Sequence, residues 1–149
     1  MFAIPLNVMR DPPNLVPADR VGRDGPRGSV LIVEDERVAR RALVALLAAS
    51  GFQTAAAASA EEALRVVSEQ PPPPRRIALV DLNLPGMNGV DFISRLERID
   101  PDVFSVLMTA ASDEVIDEAL RDRHLLYLRK PLDVGELLDV ISHSDERQP

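Results

Sequence analysis

The chain contains no cysteine and no tryptophan, and only one tyrosine and four phenylalanines among its 149 residues. Without thiols, disulfides and thiolate-bound metals are excluded. With aromatics at 3%, the core must be filled by Leu, Val, Ile and Ala, and a hydrophobic content of 46% supplies them for one domain of ordinary size. No stretch approaches the roughly 18 consecutive apolar residues of a transmembrane helix. Residues 1–10 lack both a charged n-region and a long apolar segment, so no signal peptide and no membrane partner are expected, and a cytoplasmic location is. Basic character is short too: the net charge is −7, which leaves no basic stripe for direct nucleic-acid binding. The stretch 22–28 lacks the Gly-Lys-Ser/Thr ending of a phosphate loop, and no Gly-x-Ser-x-Gly elbow occurs. His124 and His143 are the only histidines, and their spacing is not that of metal ligands.

What is present changes character at Ser29. Before it, Pro5, Pro12, Pro13, Pro17 and Pro26 with Gly22, Gly25 and Gly28 break any periodicity, which predicts a disordered or loosely docked extension over 1–28. After it, short apolar runs alternate with helical patterns. Strands are predicted over 30–33, 53–57, 77–80, 103–108 and 125–128. The first helix, 36–50, should turn Ala39, Ala42, Leu43, Leu46 and Leu47 inward and stop at Gly51. Ser59 with Glu62 forms a capping box for a helix to about 70, which Pro71–Pro74 end. A third helix spans 90–99, with Phe92, Leu96 and Ile99 inward. Ser112 caps a fourth to about 121, and Asp133 with Glu136 opens a fifth to about 142. Residues 29–143 thus read as one domain and 144–149 as a flexible tail.

Five strand–helix units in strict alternation predict a doubly wound α/β fold with a parallel sheet. Such sheets bind ligands beyond the carboxyl ends of their strands. Those ends carry the reactive side chains: Glu34 and Asp35 after the first strand, Asp81 after the third, Thr109 after the fourth and Lys130 after the fifth. Carboxylates crowded together repel unless a divalent cation lies among them, and oxygen donors of this kind suit Mg²⁺. Asp81 is then placed as a nucleophile towards phosphorus, with Lys130 and the Thr109 hydroxyl for phosphoryl oxygens. Taken singly, each residue has a plainer reading as a helix cap, a solvated loop acid, a strand-end hydroxyl or a surface ammonium. Only their joint placement argues for a site.

Four segments carry a further signal: Leu-Ile-Val-Glu-Asp-Glu (31–36), Leu-Val-Asp-Leu-Asn-Leu-Pro-Gly-Met-Asn-Gly (79–89), Met-Thr-Ala (108–110) and Tyr-Leu-Arg-Lys-Pro (127–131). In these, residues 29–143 resemble a receiver domain of the bacterial two-component response regulators. The resemblance implies a flavodoxin-like fold of five strands in order 2-1-3-4-5 with five helices. It implies that Asp81 accepts a phosphoryl group from a histidine kinase, a histidine phosphotransfer protein or a small phosphodonor. Mg²⁺ is assigned to Asp35, Asp81 and the backbone carbonyl of Asn83, with Glu34 acting largely through water. Thr109 and Tyr127 become a switch pair, and a cis bond is implied between Lys130 and Pro131.

The expected function is therefore a phosphorylation switch that gains and loses its own phosphoryl group and is not a multiple-turnover enzyme. Output is expected through a downstream protein partner, through a homodimer on the face of the fourth helix, fifth strand and fifth helix, or by relaying the phosphoryl group onward. Arg37, Arg40 and Arg41 near the start of the first helix are candidates for docking the phosphodonor, or simply a solvated helix side. The stretch 121–126 (Arg-Asp-Arg-His-Leu-Leu) replaces a small Gly-Ala pair common in the family, so the fourth helix or its exit is expected to differ. Ala111 has no side chain to orient an attacking water, which predicts an unremarkable rate of phosphoryl loss. The alternatives are an interaction module without phosphotransfer, a receiver fragment of a hybrid kinase, or an aspartate-nucleophile phosphatase. The last is disfavoured because Asn83 cannot serve as the second acid.

Overall fold

The computed structural model describes residues 27–144. Most of the expected extension, 1–26, and the tail 145–149 lie outside the described residues. Arg27 and Gly28 belong to the folded body, where the Arg27 N–H donates to Gly51 and the Gly28 carbonyl accepts from Gln53.

The strands are β1 (Ser29–Val33), β2 (Gln53–Ala57), β3 (Arg76–Asp81), β4 (Phe104–Thr109) and β5 (Leu126–Arg129). The helices are α1 (Arg37–Ala49), α2 (Ala60–Ser68), α3 (Gly89–Ile99), α4 (Asp113–Ala119) and α5 (Val134–Ser142). All strand pairs are parallel and the sheet order is β2-β1-β3-β4-β5, as the resemblance implied.

The apolar runs explain why the sheet is covered on both faces. Successive side chains of a strand point to opposite sides, so one run feeds two cores. Val30, Ile32, Ile77, Leu79, Val106 and Met108 pack with Leu43, Val44 and Leu47 of α1 and Leu137 and Ile141 of α5. Their neighbours Leu31, Val33, Ala78, Val80 and Leu107 pack with α2 and α3 through Ala63, Val67, Phe92, Ile93 and Leu96. Each helix opens on a side chain that accepts backbone N–H groups its first turn leaves without partners: Glu36, Ser59, Asn88, Ser112 and Asp133. Gly51, at φ +96°, ends α1 in the left-handed conformation expected of it. Among the described residues no helix is long and apolar enough to cross a membrane.

Several details differ from the sequence expectation. On α1 the buried stripe is Leu43, Val44 and Leu47, while Ala42 is exposed. Ala39, Ala42 and Leu46 instead look sideways onto a groove of about 300 Å³ between α1 and the start of α5. On α3, Ile93 takes the inward place expected for Ile99, which lies on the last turn beyond the sheet and is 38% exposed. β3 begins at Arg76, whose guanidinium is buried and stands 3.6 Å from the buried Asp100 carboxylate. The fourth helix ends at Ala119, two residues early. Its unusual exit is pinned to α3 by Arg123, which bonds Ser94 and Glu97.

Candidate functional site

The ladder carries the reactive residues to one sheet edge. Glu34 N–H donates to Ala57, Leu82 N–H to Met108 and Lys130 N–H to Thr109, continuing the strand pairing one residue past the strands. Glu34 and Asp35 thus follow β1, Asp81 closes β3, Thr109 closes β4 and Lys130 follows β5, its bond to Pro131 being cis.

These side chains meet. Lys130 Nζ donates to Glu34 Oε1 and to Asp81 Oδ2, each at 2.8 Å. The Asn83 N–H donates to Asp81 Oδ1 at 3.0 Å. Glu34, Asp35 and Asp81 each offer a carboxylate oxygen, all within 4.8 Å of one another. Glu34 and Asp81 are buried and Asp35 is exposed, so the cup opens to solvent on the Asp35 side.

The two buried acids are electrostatically unequal. Burial pushes the Glu34 carboxyl up to about 7; the neighbouring Asp81 adds to this and Lys130 opposes it. Burial acts on Asp81 in the same sense, but bonds from Glu34, Lys130 and the Asn83 N–H outweigh it and hold Asp81 below the ordinary aspartate value. Burial pulls Lys130 down, yet the bonds to Asp81 and Glu34 raise it above an ordinary lysine. Asp81 is therefore the more readily charged of the two acids, Glu34 the more readily protonated, and the ammonium stays charged between them.

The donor set fits a small hard cation. Its side-chain donors are all carboxylate oxygens, and Glu34 Oε2 is buried with no hydrogen-bond partner, an oxygen that a cation or one of its waters would satisfy.

Three residues that support this edge escaped the sequence reading. Arg40, read as a docking or solvated side chain, turns back so that its Nη1 donates to the carbonyls of Glu34 at 2.9 Å and Asp35 at 3.2 Å, fixing the acidic turn. Gly89 lies so close to β3 that a Cβ there would stand 2.4 Å from the Asp81 carbonyl oxygen. Its place at the end of the 79–89 motif was the only sequence signal. Arg129, between Tyr127 and Lys130, bonds the loop after β4. The histidines discounted from sequence remain outside the site, His143 meeting the Asp139 carbonyl at 2.7 Å.

Thr109 and Tyr127, expected as a switch pair, lie on the neighbouring strands β4 and β5. Thr109 is buried, and its Oγ1 accepts the Ala111 N–H at 2.9 Å. Tyr127 lies two residues before Arg129 on β5 and is 40% exposed.

The chain is similar to known proteins in sequence and fold. The sequence pattern of the response regulator receiver domain matches residues 30–142. The chain is 31% identical over 66 residues to sporulation initiation phosphotransferase F of Bacillus subtilis, covering 44% of this chain and 53% of that protein. It is 31% identical over 117 residues to a cyclic di-GMP phosphodiesterase of Thermotoga maritima, covering 78% of this chain but 30% of that protein. The chain thus spans about half or less of the length of these curated relatives. Among solved structures, a CheY-like receiver domain protein from Methanospirillum hungatei superposes with a TM-score of 0.69 at 26% identity, covering 80% of this chain and 94% of that one.

Proposed function

The chain belongs to the response regulator receiver domain family, and from that premise we propose that it is a phosphorylation switch whose acceptor is Asp81. The observation that carries this reading is the shared ammonium: Lys130 Nζ lies 2.8 Å from both Glu34 and Asp81, with Asp81 the more readily charged member of the pair.

Glu34, Asp35 and Asp81, with the backbone carbonyl of Asn83, would hold Mg²⁺. Bound there, the cation would offset the negative charge of the acceptor and of the phosphoryl oxygens. A carboxylate oxygen of Asp81 attacks phosphorus as the bond to a donor phosphohistidine breaks, its electron pair leaving with the imidazole. Lys130 then turns from the carboxylates to a phosphoryl oxygen. The acyl phosphate carries about −2 of charge at neutral pH where the carboxylate carried −1, and the Thr109 hydroxyl is drawn from Ala111 towards it. Tyr127 follows inward, and the surface of β4, α4 and β5 repacks.

The donor is a histidine kinase or a histidine phosphotransfer protein, in the cytoplasm. The output is a protein partner or a second copy meeting the α4–β5–α5 face. The chain turns over its own phosphoryl group and no external substrate.

Incubation with acetyl phosphate and Mg²⁺, followed by intact mass, tests this. One added phosphoryl group that Asp81→Asn abolishes supports the switch. No gain supports an interaction module without phosphotransfer, and repeated turnover of external phosphoesters supports a phosphatase.

A further inference from the structure

One guanidinium on β5 reaches the loop that occupies the switch hydroxyl. In the β4–β5 pairing Thr109 stands beside Arg129 and Leu107 beside Tyr127. Leu107 belongs to the core on the α2–α4 side. Because side chains alternate along a strand, Thr109, Tyr127 and Arg129 share that side. Arg129 Nη1 donates to the Ala111 carbonyl at 3.2 Å, and Nη2 pairs with the Asp113 carboxylate on the first turn of α4. Its guanidinium carbon lies 5.9 Å from the centre of the Tyr127 ring. The N–H of the same Ala111 occupies Thr109 Oγ1. A single side chain thus ties the residue whose N–H bonds the Thr109 hydroxyl to the first turn of α4, and it rests on the ring that must move when the hydroxyl leaves.

We propose that Arg129 is a positioning residue for phosphoryl binding: it stabilises the resting loop and so sets how readily Thr109 is released to a phosphoryl group on Asp81. This rests on the reading of Asp81 as the acceptor. A lysine there would substitute only in part, because the Arg129 fork spans a carbonyl and a carboxylate together, a geometry that a point charge does not reproduce. The effect is bounded by exposure. The side chains of Arg129 and Asp113 are 48% and 80% exposed, so solvent screens the pair. Exposed ion pairs of this kind shift an equilibrium by about two- to five-fold.

The chain has one tyrosine and no tryptophan, so intrinsic fluorescence reports Tyr127 directly. The full chain with Mg²⁺ is titrated with beryllofluoride, a non-reactive stand-in for the phosphoryl group. Arg129→Ala should lower the half-saturating concentration about two- to five-fold. Asp113→Asn, which leaves the Ala111 bond in place, should lower it less, and Arg129→Lys should fall between Arg129→Ala and the parent. High salt should lower the parent's midpoint and leave that of Arg129→Ala nearly unmoved. A midpoint in Arg129→Ala equal to or above the parent's, with the parent responding normally, overturns the proposal alone. A parent that shows no response to beryllofluoride overturns the acceptor reading, and this inference with it.

Discussion

Thr109 Oγ1 accepts the N–H of Ala111, two residues further along the chain, at 2.9 Å. The hydroxyl is buried at the same sheet edge as Asp81, and its own loop takes one of its acceptor lone pairs while its O–H remains the group that can donate. A phosphoryl group on Asp81 offers it a charged acceptor instead, and a hydrogen bond to a charged group is stronger than one to a neutral group. Thr109→Ala should therefore bind beryllofluoride about ten-fold more weakly, whereas Thr109→Ser should stay near the parent. Titration of both variants checks this, and equal affinities for Thr109→Ala and the parent would contradict it.

Glu34 makes stability depend on pH. Its carboxyl is raised to about 7 in the folded protein from an ordinary 4.5, so the folded form keeps a proton that the unfolded chain releases. That contribution is complete below about 4.5 and is lost as pH rises through about 7. The lowered Asp81 and raised Lys130 act at lower and higher pH, outside this window. In chelator, the unfolding free energy should fall by roughly 2 kcal/mol across it, and Glu34→Gln should flatten the slope. Mg²⁺ affinity should rise over the same window, because the ion competes with the proton on Glu34. Urea unfolding at a series of pH values decides the first point; stability rising with pH would refute it.

Gly89 permits α3 to start against the back of Asp81, where a Cβ would meet a backbone oxygen at 2.4 Å. Neither atom belongs to a flexible side chain, so helix or strand must shift. Gly89→Ala should cost about 2 kcal/mol and weaken beryllofluoride binding as well. Unfolding curves within about 0.5 kcal/mol of the parent would show that the helix moves freely.

Arg76 and Asp100 form a buried pair at the other end of the sheet, 3.6 Å apart, with Arg76 Nη1, Nη2 and Asp100 Oδ2 lacking hydrogen-bond partners. Burial holds the Arg76 guanidinium below its ordinary value, and Asp100 opposes this. Breaking such a pair leaves an uncompensated charge, while replacing both members leaves none. Asp100→Leu should cost about 3 kcal/mol, and Arg76→Met with Asp100→Leu should recover most of it. Thermal unfolding of the two variants tests this; a double variant less stable than the single would reverse the account.

How much was legible follows from what each residue depends on. The five strands and the edge carrying Glu34, Asp35, Asp81, Thr109 and Lys130 were readable because short apolar runs ending in charge have few alternative placements in an alternating chain. The β3 boundary was not: Arg76 and Asp81 are charged, and burial of both rests on partners, Asp100 and Lys130, that are distant in sequence. Ala42 and Ile99 failed for another reason. Helical periodicity fixes a stripe only to within a residue, and the sheet and neighbouring helices decide which edge of the stripe is covered. The roles of Arg40 and Arg129 lie in side chains that fold back onto backbone carbonyls, which no pattern of residue types records.

The most direct measurement is the position of the phosphoryl group itself. After acetyl phosphate treatment, borohydride reduction marks an acyl phosphate, and peptide mass spectrometry locates the mark. The prediction is a single reduced residue at Asp81, present with Mg²⁺ and absent in chelator and in Lys130→Ala. A mark on another residue, or equal marking with and without the cation, would contradict the shared acidic cup as the site of phosphoryl transfer.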